Sequence, residues 1–176
     1  MRTSRRNDRL FTIFQIPLAL FLTAGFWIAC KSSVDPAQKS DIDPNGTEKV
    51  RKTEEQWKAI LTNDQFLVTR KEGTEQAYTG KLLKNHEKGM YRCVCCGQPV
   101  FSSETKYDSK TGWPSFYRPV SPKAITKVAD NSDGMQRTEV QCSRCEAHLG
   151  HVFTDGPAPT GLRYCMNSIA LSFEKN

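Results

Sequence analysis

Hydrophobic and polar positions divide the chain into three parts. The first is a nearly unbroken apolar run, "LFTIFQIPLALFLTAGFWIAC", from Leu10 to Cys30, interrupted by Gln15 and a few small polar residues. The second, "KSSVDPAQKSDIDPNGTEK", is polar, holds Pro36, Pro44 and Gly46, and has no apolar periodicity. It reads as a linker that ends near Lys52. The third part starts at Thr53 and is patterned throughout. In "TEEQWKAIL", Thr53 and Gln56 form a capping-box signature, and Trp57, Ile60 and Leu61 fall on one helical face. "NDQFLVTRKEG" predicts a second short helix that begins at Asn63 or Asp64 and stops at Gly73.

Helical periodicity ends there. "MYRCV", "PVFSS", "AITKV", "TEVQC", "HVFTD" and "RYCMNSIALSF" are strand-like pieces separated by Gly, Pro, Asn and Asp. "NSDG", Asn131 to Gly134, predicts a hairpin turn. The last piece is expected to be one strand with Arg163, Cys165, Asn167, Ile169, Leu171 and Phe173 on a common face. Its apolar half would enter the core, and its polar half would line the mouth of a pocket. The expected fold is mainly β: a small, mostly antiparallel domain with short helices packed on it from the N-terminal side.

Charge changes the picture at the N-terminus. The 176 residues suit one domain with appendages, and 38% hydrophobic with 25% charged residues is ordinary for a globular protein. Half of the formal net charge of +6 comes from Arg2, Arg5, Arg6 and Arg9 set against Asp8, all before the apolar run. The remainder is too mild for nucleic-acid binding. Basic then apolar is the layout of a secretory signal. Its end, Ala29-Cys30, resembles a bacterial lipoprotein signal, in which Cys30 would be lipidated and become the mature N-terminus. Trp27 departs from that pattern, which usually has a leucine-like residue there. An uncleaved anchor is the alternative, since about 20 apolar residues span a bilayer. Either way the domain is expected outside the cytoplasm, tethered to a membrane of the bacterial envelope. The expected divisions are 1–29 signal or anchor, 30–52 linker and 53–174 folded domain.

The cysteines carry the candidate chemistry. Cys93-x-x-Cys96, followed by Gly97, and Cys142-x-x-Cys145 supply four thiolates. That is a ligand set of structural tetrahedral Zn²⁺. A two-residue gap lets one tight turn present two sulfurs, and Gly97 eases the first turn. Disulfides in an oxidising compartment, or redox dithiols, are the alternatives, the latter without the βαβ context they usually keep. Cys95 adjoins Cys96 and lies outside the spacing. Cys165 stands apart. It reads either as a buried core thiol or as a nucleophile whose thiolate Arg163 would favour. His148 and His151 are each a structural, metal-ligating or acid–base candidate. No HExxH or HxE…PCxxC pattern is present, and four cysteines leave a metal no open position, which argues against zinc hydrolases and deaminases.

Three segments are then specific: "GTEQAYTGKLLKNHEKGMY", "YRCVCCGQPVFSSETKYDSKTGWPSFYRPV" and "QCSRCEAHLGHVFTDGPAPTGLRYCMNS". Together they resemble the methionine sulfoxide reductase B family, from about Thr53 to Phe173. The resemblance implies two antiparallel sheets with short N-terminal helices, and thiol-dependent reduction of the R epimer of methionine sulfoxide in proteins. It implies structural zinc on Cys93, Cys96, Cys142 and Cys145, and Cys165 as the nucleophile that becomes a sulfenic acid. His148, His151 and Asn167 match polar groups around the sulfoxide, with Arg163 beside the nucleophile. Trp113 matches the wall that holds the substrate methyl group, and Phe153 joins it as a substrate-binding candidate. A thioredoxin-like dithiol is the implied reductant. One departure stands out. Many members carry a resolving cysteine just before the Gly-Trp of "GWPSF", and here that residue is Thr111. Recycling would then use direct attack by the donor, or a disulfide through Cys95. A zinc-ribbon binding module is the rival reading, and it leaves "GWPSF" and "RYCMNS" unexplained.

Overall fold

The computed structural model describes residues 48–176. The apolar run, Cys30 and the linker up to residue 47 lie outside the described residues. Among the described residues no helix is long and apolar enough to cross a membrane.

Two short helices open the fold, α1 (Glu54–Ile60) and α2 (Asn63–Arg70). Each starts at a complete capping box, Thr53 with Gln56 and Thr62 with Gln65, so two otherwise orphaned amide donors are satisfied at each start. The second helix ends three residues before Gly73, whose N–H reaches back to the Leu67 carbonyl and closes the end. Trp57, Phe66, Val68 and Thr69 face the core.

Nine strands follow: β1 (Gly89–Cys93), β2 (Pro99–Ser102), β3 (Lys106–Tyr107), β4 (Ser115–Phe116), β5 (Ile125–Asp130), β6 (Arg137–Cys142), β7 (His148–Phe153), β8 (Arg163–Met166) and β9 (Leu171–Lys175). They form two antiparallel sheets, β2-β1-β9 and β3-β4-β8-β7-β6-β5. The expected β domain with short helices is therefore present. Aromatic rings join the sheets. Phe116 of β4 stacks on Phe101 of β2 at 4.5 Å between ring centres and meets Tyr91 of β1 edge-on at 4.9 Å. Tyr164 of β8 and Phe173 of β9 extend the cluster. Tyr91, Phe101 and Phe116 are fully buried, and each such ring contributes about 2–3 kcal/mol of apolar burial.

Three expectations change. Strand β7 begins at His148, three residues before the expected start, so both histidines lie on it. The stretch expected to be a linker is anchored at its described end, where Val50 N–H donates to Arg144 O at 2.8 Å and Lys49 Nζ to Ser143 O at 2.7 Å. The expected single strand from Arg163 to Phe173 is two strands in two different sheets. The chain leaves β8 at Asn167, makes a 3-10 turn over Ser168–Ala170 and enters the other sheet as β9. Arg163 and Cys165 keep their common face, because the burial alternates along β8, with Tyr164 and Met166 turned inward. Asn167 does not share it.

Candidate active site and metal centre

Strand pairing builds a row across the large sheet. Cys165 lies opposite Ser115 of β4 on one side and His151 of β7 on the other. Tyr107 faces Ser115 from the edge strand, and Glu139 faces His151 from β6. Directly opposed residues share a face, so these side chains lie on the same side as the Cys165 thiol. A hydroxyl relay borders the thiol. Thr111 Oγ1 lies 3.7 Å from Cys165 Sγ and 2.8 Å from Ser109 Oγ, which lies 2.7 Å from Ser115 Oγ. The phenol oxygen of Tyr107 is buried without a hydrogen-bond partner, and burial raises its pKa.

The two histidines are held differently. His151 Nε2 lies 2.8 Å from Asp130 Oδ2. Burial holds the ring below the ordinary imidazole value, and Asp130 opposes that shift without cancelling it. At pH 7 the ring is therefore mostly neutral. It carries its proton on Nε2 toward Asp130 and leaves Nδ1 as an acceptor. Asp130 is held well below the usual carboxylate range, first by the Ser132 hydroxyl and N–H and then by His151. His148 is 2% exposed, and its Nδ1 lies 2.7 Å from Glu139 Oε1. Its Nε2 is buried and unpartnered. The two imidazoles meet edge-on, 5.4 Å apart.

Arg163 is held by Asp155. Its Nε and Nη2 donate to the two Asp155 oxygens, both at 2.9 Å, and the guanidinium covers the Phe153 ring at 4.3 Å. It acts on Cys165 through space, as an electrostatic neighbour on the same face, without a hydrogen bond to the sulfur.

Asn167 is buried, with both amide ends on backbone: Oδ1 accepts from Glu75 N–H at 3.0 Å and Nδ2 donates to Leu149 O at 3.3 Å. It positions the end of β8. Glu75 itself makes three kinds of contact. Its carboxylate accepts from Ser168 N–H at 2.6 Å and Ile169 N–H at 2.9 Å, its N–H donates to Asn167, and its carbonyl accepts from Trp113 Nε1 at 3.1 Å. Burial pushes the Glu75 pKa up, and the two backbone donors pull it back. Gly80 packs over this clasp, where a Cβ would collide with Glu75 and Ser168.

The four spaced cysteines come together elsewhere in the domain. Their sulfurs lie within 4.8 Å of one another, with Cys93–Cys145 and Cys96–Cys142 each at 3.6 Å. The two turns are built alike. In each, the amide four residues on donates to the first cysteine's carbonyl, and the first cysteine's amide donates to the carbonyl five residues on. The fourth position needs a left-handed backbone, taken by Gly97 (φ 74°) in one turn and by Glu146 (φ 59°) in the other. Cys93 ends β1 in the small sheet and Cys142 ends β6 in the large one, so a metal ion on these sulfurs ties the sheets together. All six described cysteines are free thiols, which removes the disulfide alternative for them. Cys95 is buried beside Cys93, Cys145 and Thr69.

A family model described as the SelR domain matches residues 61–175. A peptide methionine sulfoxide reductase MsrB from Leptospira interrogans is 56% identical over 126 residues, covering 72% of this chain and 96% of that protein. Proteins of the same name from Pseudomonas fluorescens and Methanosarcina mazei are 54% and 55% identical, covering 70% and 72% of this chain and 95% and 91% of theirs. The chain belongs to the methionine sulfoxide reductase B family.

Within this methionine sulfoxide reductase B domain, several residues that shape the site carry no local signal. Asp130, Glu139 and Asp155 pair with His151, His148 and Arg163 across strand or loop. Glu75 acts over more than ninety residues of sequence. Asp155 lies in "HVFTDG", Glu139 in "TEVQC" and Glu75 in "GTEQAYTG", but nothing in those segments shows which group each carboxylate orients. Replacing Glu75 with Ala leaves the two turn amides of Ser168 and Ile169 without their acceptor, while the backbone contacts to Trp113 and Asn167 remain. We expect a loss of about 2 kcal/mol in urea unfolding, in line with hydrogen bonds to a charged acceptor. A stability equal to that of the unsubstituted protein would show that the clasp contributes nothing.

Proposed function

We propose that the chain reduces the R epimer of methionine sulfoxide in proteins, and that Cys165 carries the reaction. One observation supports this reading above the others: the thiol stands on β8 between a neutral, carboxylate-oriented imidazole and a hydroxyl relay, next to the Trp113 loop. His151 Nδ1 takes the proton of the Cys165 thiol, and Asp130 stabilises the imidazolium that forms. The thiolate attacks the sulfoxide sulfur while His151, with His148 behind it, returns the proton to the sulfoxide oxygen. The attack forms a bond between the Cys165 sulfur and the methionine sulfur. The protonated oxygen then moves as hydroxyl from the methionine sulfur to the Cys165 sulfur while that S–S bond breaks and its electron pair stays on the methionine sulfur, giving methionine and a Cys165 sulfenic acid. Trp113 and Phe153 form the apolar walls for the methyl group, and Asn167 keeps β8 in register beneath the sulfur.

Recycling follows from what surrounds Cys165. Thr111 occupies the contact position, and its hydroxyl cannot form a disulfide. Cys95 is packed into the sulfur cluster at the other pair of turns. A thioredoxin-like donor thiol therefore attacks the sulfenic acid, water leaves, and the donor's second thiol frees Cys165 by exchange. Zinc suits the four-cysteine cluster. A tetrahedral ion at about 2.3 Å from each sulfur needs S–S edges of about 3.8 Å, close to the 3.6 Å seen for two of them. Cys93, Cys96, Cys142 and Cys145 would fill every position on it, so its contribution is to hold the two sheets together.

Purified chain with dithiothreitol should reduce R-methionine sulfoxide and leave the S epimer untouched. Cys165→Ser should lose at least about a thousandfold in rate, as removal of a nucleophile does. Activity that survives that substitution would end the assignment of Cys165.

We also propose that residues 1–29 export the chain and that Cys30 is lipidated at the bacterial envelope. The basic-then-apolar order and the Ala29-Cys30 junction support this over an uncleaved anchor. Cys30→Ser should abolish labelling by radioactive palmitate in cells, and unchanged labelling would rule the lipid out.

A further inference from the structure

A cavity of about 360 Å³ lies beside Trp113. Its walls include Lys84, Asn85, Lys106, Tyr107, Asp108 and Lys110. The loop that forms one wall, through Gly112, Trp113 and Pro114, is the same loop whose Thr111 touches Cys165 and whose Pro114 carbonyl accepts from Met166 N–H. The cavity therefore shares the Thr111–Pro114 loop with the Cys165 site.

Its charge is one-sided. Lys110 is cancelled by Asp108 at 2.6 Å. Among the described residues, neither Lys84 nor Lys106 has a carboxylate in ion-pair contact. Lys106 is the informative one. Its ammonium is half-buried and donates to Leu83 O at 2.8 Å and Asn85 O at 2.9 Å, which uses two of its three N–H groups. Two carbonyls pin the 83–85 segment but do not neutralise the charge. Burial pulls the pKa of this amine down, and Asp108, occupied by Lys110, acts on it only from a distance. A desolvated cation without a counter-ion is unfavourable, and a carboxylate entering the cavity relieves it.

We propose that this cavity is a carboxylate subsite for the polypeptide around the oxidised methionine, so that the enzyme favours methionine sulfoxide with Asp or Glu close to it in the sequence. This rests on the reductase reading above and adds the substrate class to it. Lys106 supplies the free N–H inside the cavity. Lys84 supplies a second positive charge at its wall, and Asn85 a neutral polar wall. The subsite makes no contact with the reacting atoms, so it acts on binding, and its effect appears in KM.

The test uses the full chain and three peptides of equal length that carry R-methionine sulfoxide flanked by Glu, by Gln or by Lys. The acidic peptide should show a kcat/KM about fivefold above the Gln peptide, carried by KM, with the Lys peptide below both. The ratio should shrink at about 0.5 M salt, where charges this close to solvent are screened. Lys84→Glu should remove or invert the acidic-to-neutral ratio. Lys106→Met should lower it as well, and the ratio is compared within one variant, so partial loss of folded protein does not change it. Equal kcat/KM for all three peptides, or a ratio unchanged in Lys84→Glu, would overturn the subsite. No turnover of any of the three would instead overturn the reductase reading on which it rests.

Discussion

The carboxylate of Glu75 holds the point at which the chain passes from one sheet to the other. Strand β8 ends with Cys165 and Met166 in the large sheet, and five residues after Met166 the chain is β9 of the small one. A turn that tight leaves backbone amides pointing inward, and Glu75 takes two of them. The same residue accepts from the Trp113 indole and donates to Asn167. One loop residue thus fixes the end of the strand that carries Cys165, the Trp113 side chain and the crossover into β9. Cys165, two residues before Asn167, lies on the strand whose end this clasp holds.

The failure of the strand expectation at Asn167 has the same cause. Alternation in "RYCMNSIALSF" runs unbroken in the sequence, and nothing local distinguishes one long strand from two short ones. What breaks it is a carboxylate ninety-odd residues away. The parts of the fold that rest on local signals were readable: the Thr53 capping box, the short strands between Gly and Pro, the hairpin at Asn131, the paired CxxC spacing and the shared face of Arg163 and Cys165. The second helix starts at Asn63, where its pattern predicts, and is capped by Thr62. Groups that orient other groups were not readable. Asp130, Glu139 and Asp155 are ordinary acidic residues in the sequence, and only strand pairing and loop folding bring them to His151, His148 and Arg163. Arg163 keeps its electrostatic contact with Cys165, and its pairing with Asp155 is a further feature the sequence does not show.

The two sulfur sites divide the work of the domain. Cys93, Cys96, Cys142 and Cys145 sit in two turns of the same hydrogen-bonding pattern, one from each sheet, where a metal ion would compensate for a core made of short strands. Cys165 sits mid-sheet with no second thiol in contact among the described residues and a hydroxyl where one would serve. The cluster keeps Cys95 buried within its own surroundings, so a catalytic cycle through Cys95 requires that centre to open. A donor arriving from solvent requires no such change.

The most direct measurement is the state of Cys165 after a single turnover without reductant. The full chain is mixed with an equal amount of R-methionine sulfoxide, trapped with dimedone and analysed by peptide mass spectrometry. The account predicts that methionine forms in equal amount and that the dimedone adduct is found on Cys165. A Cys165–Cys95 disulfide, or methionine formed with Cys165 unmodified, would contradict it.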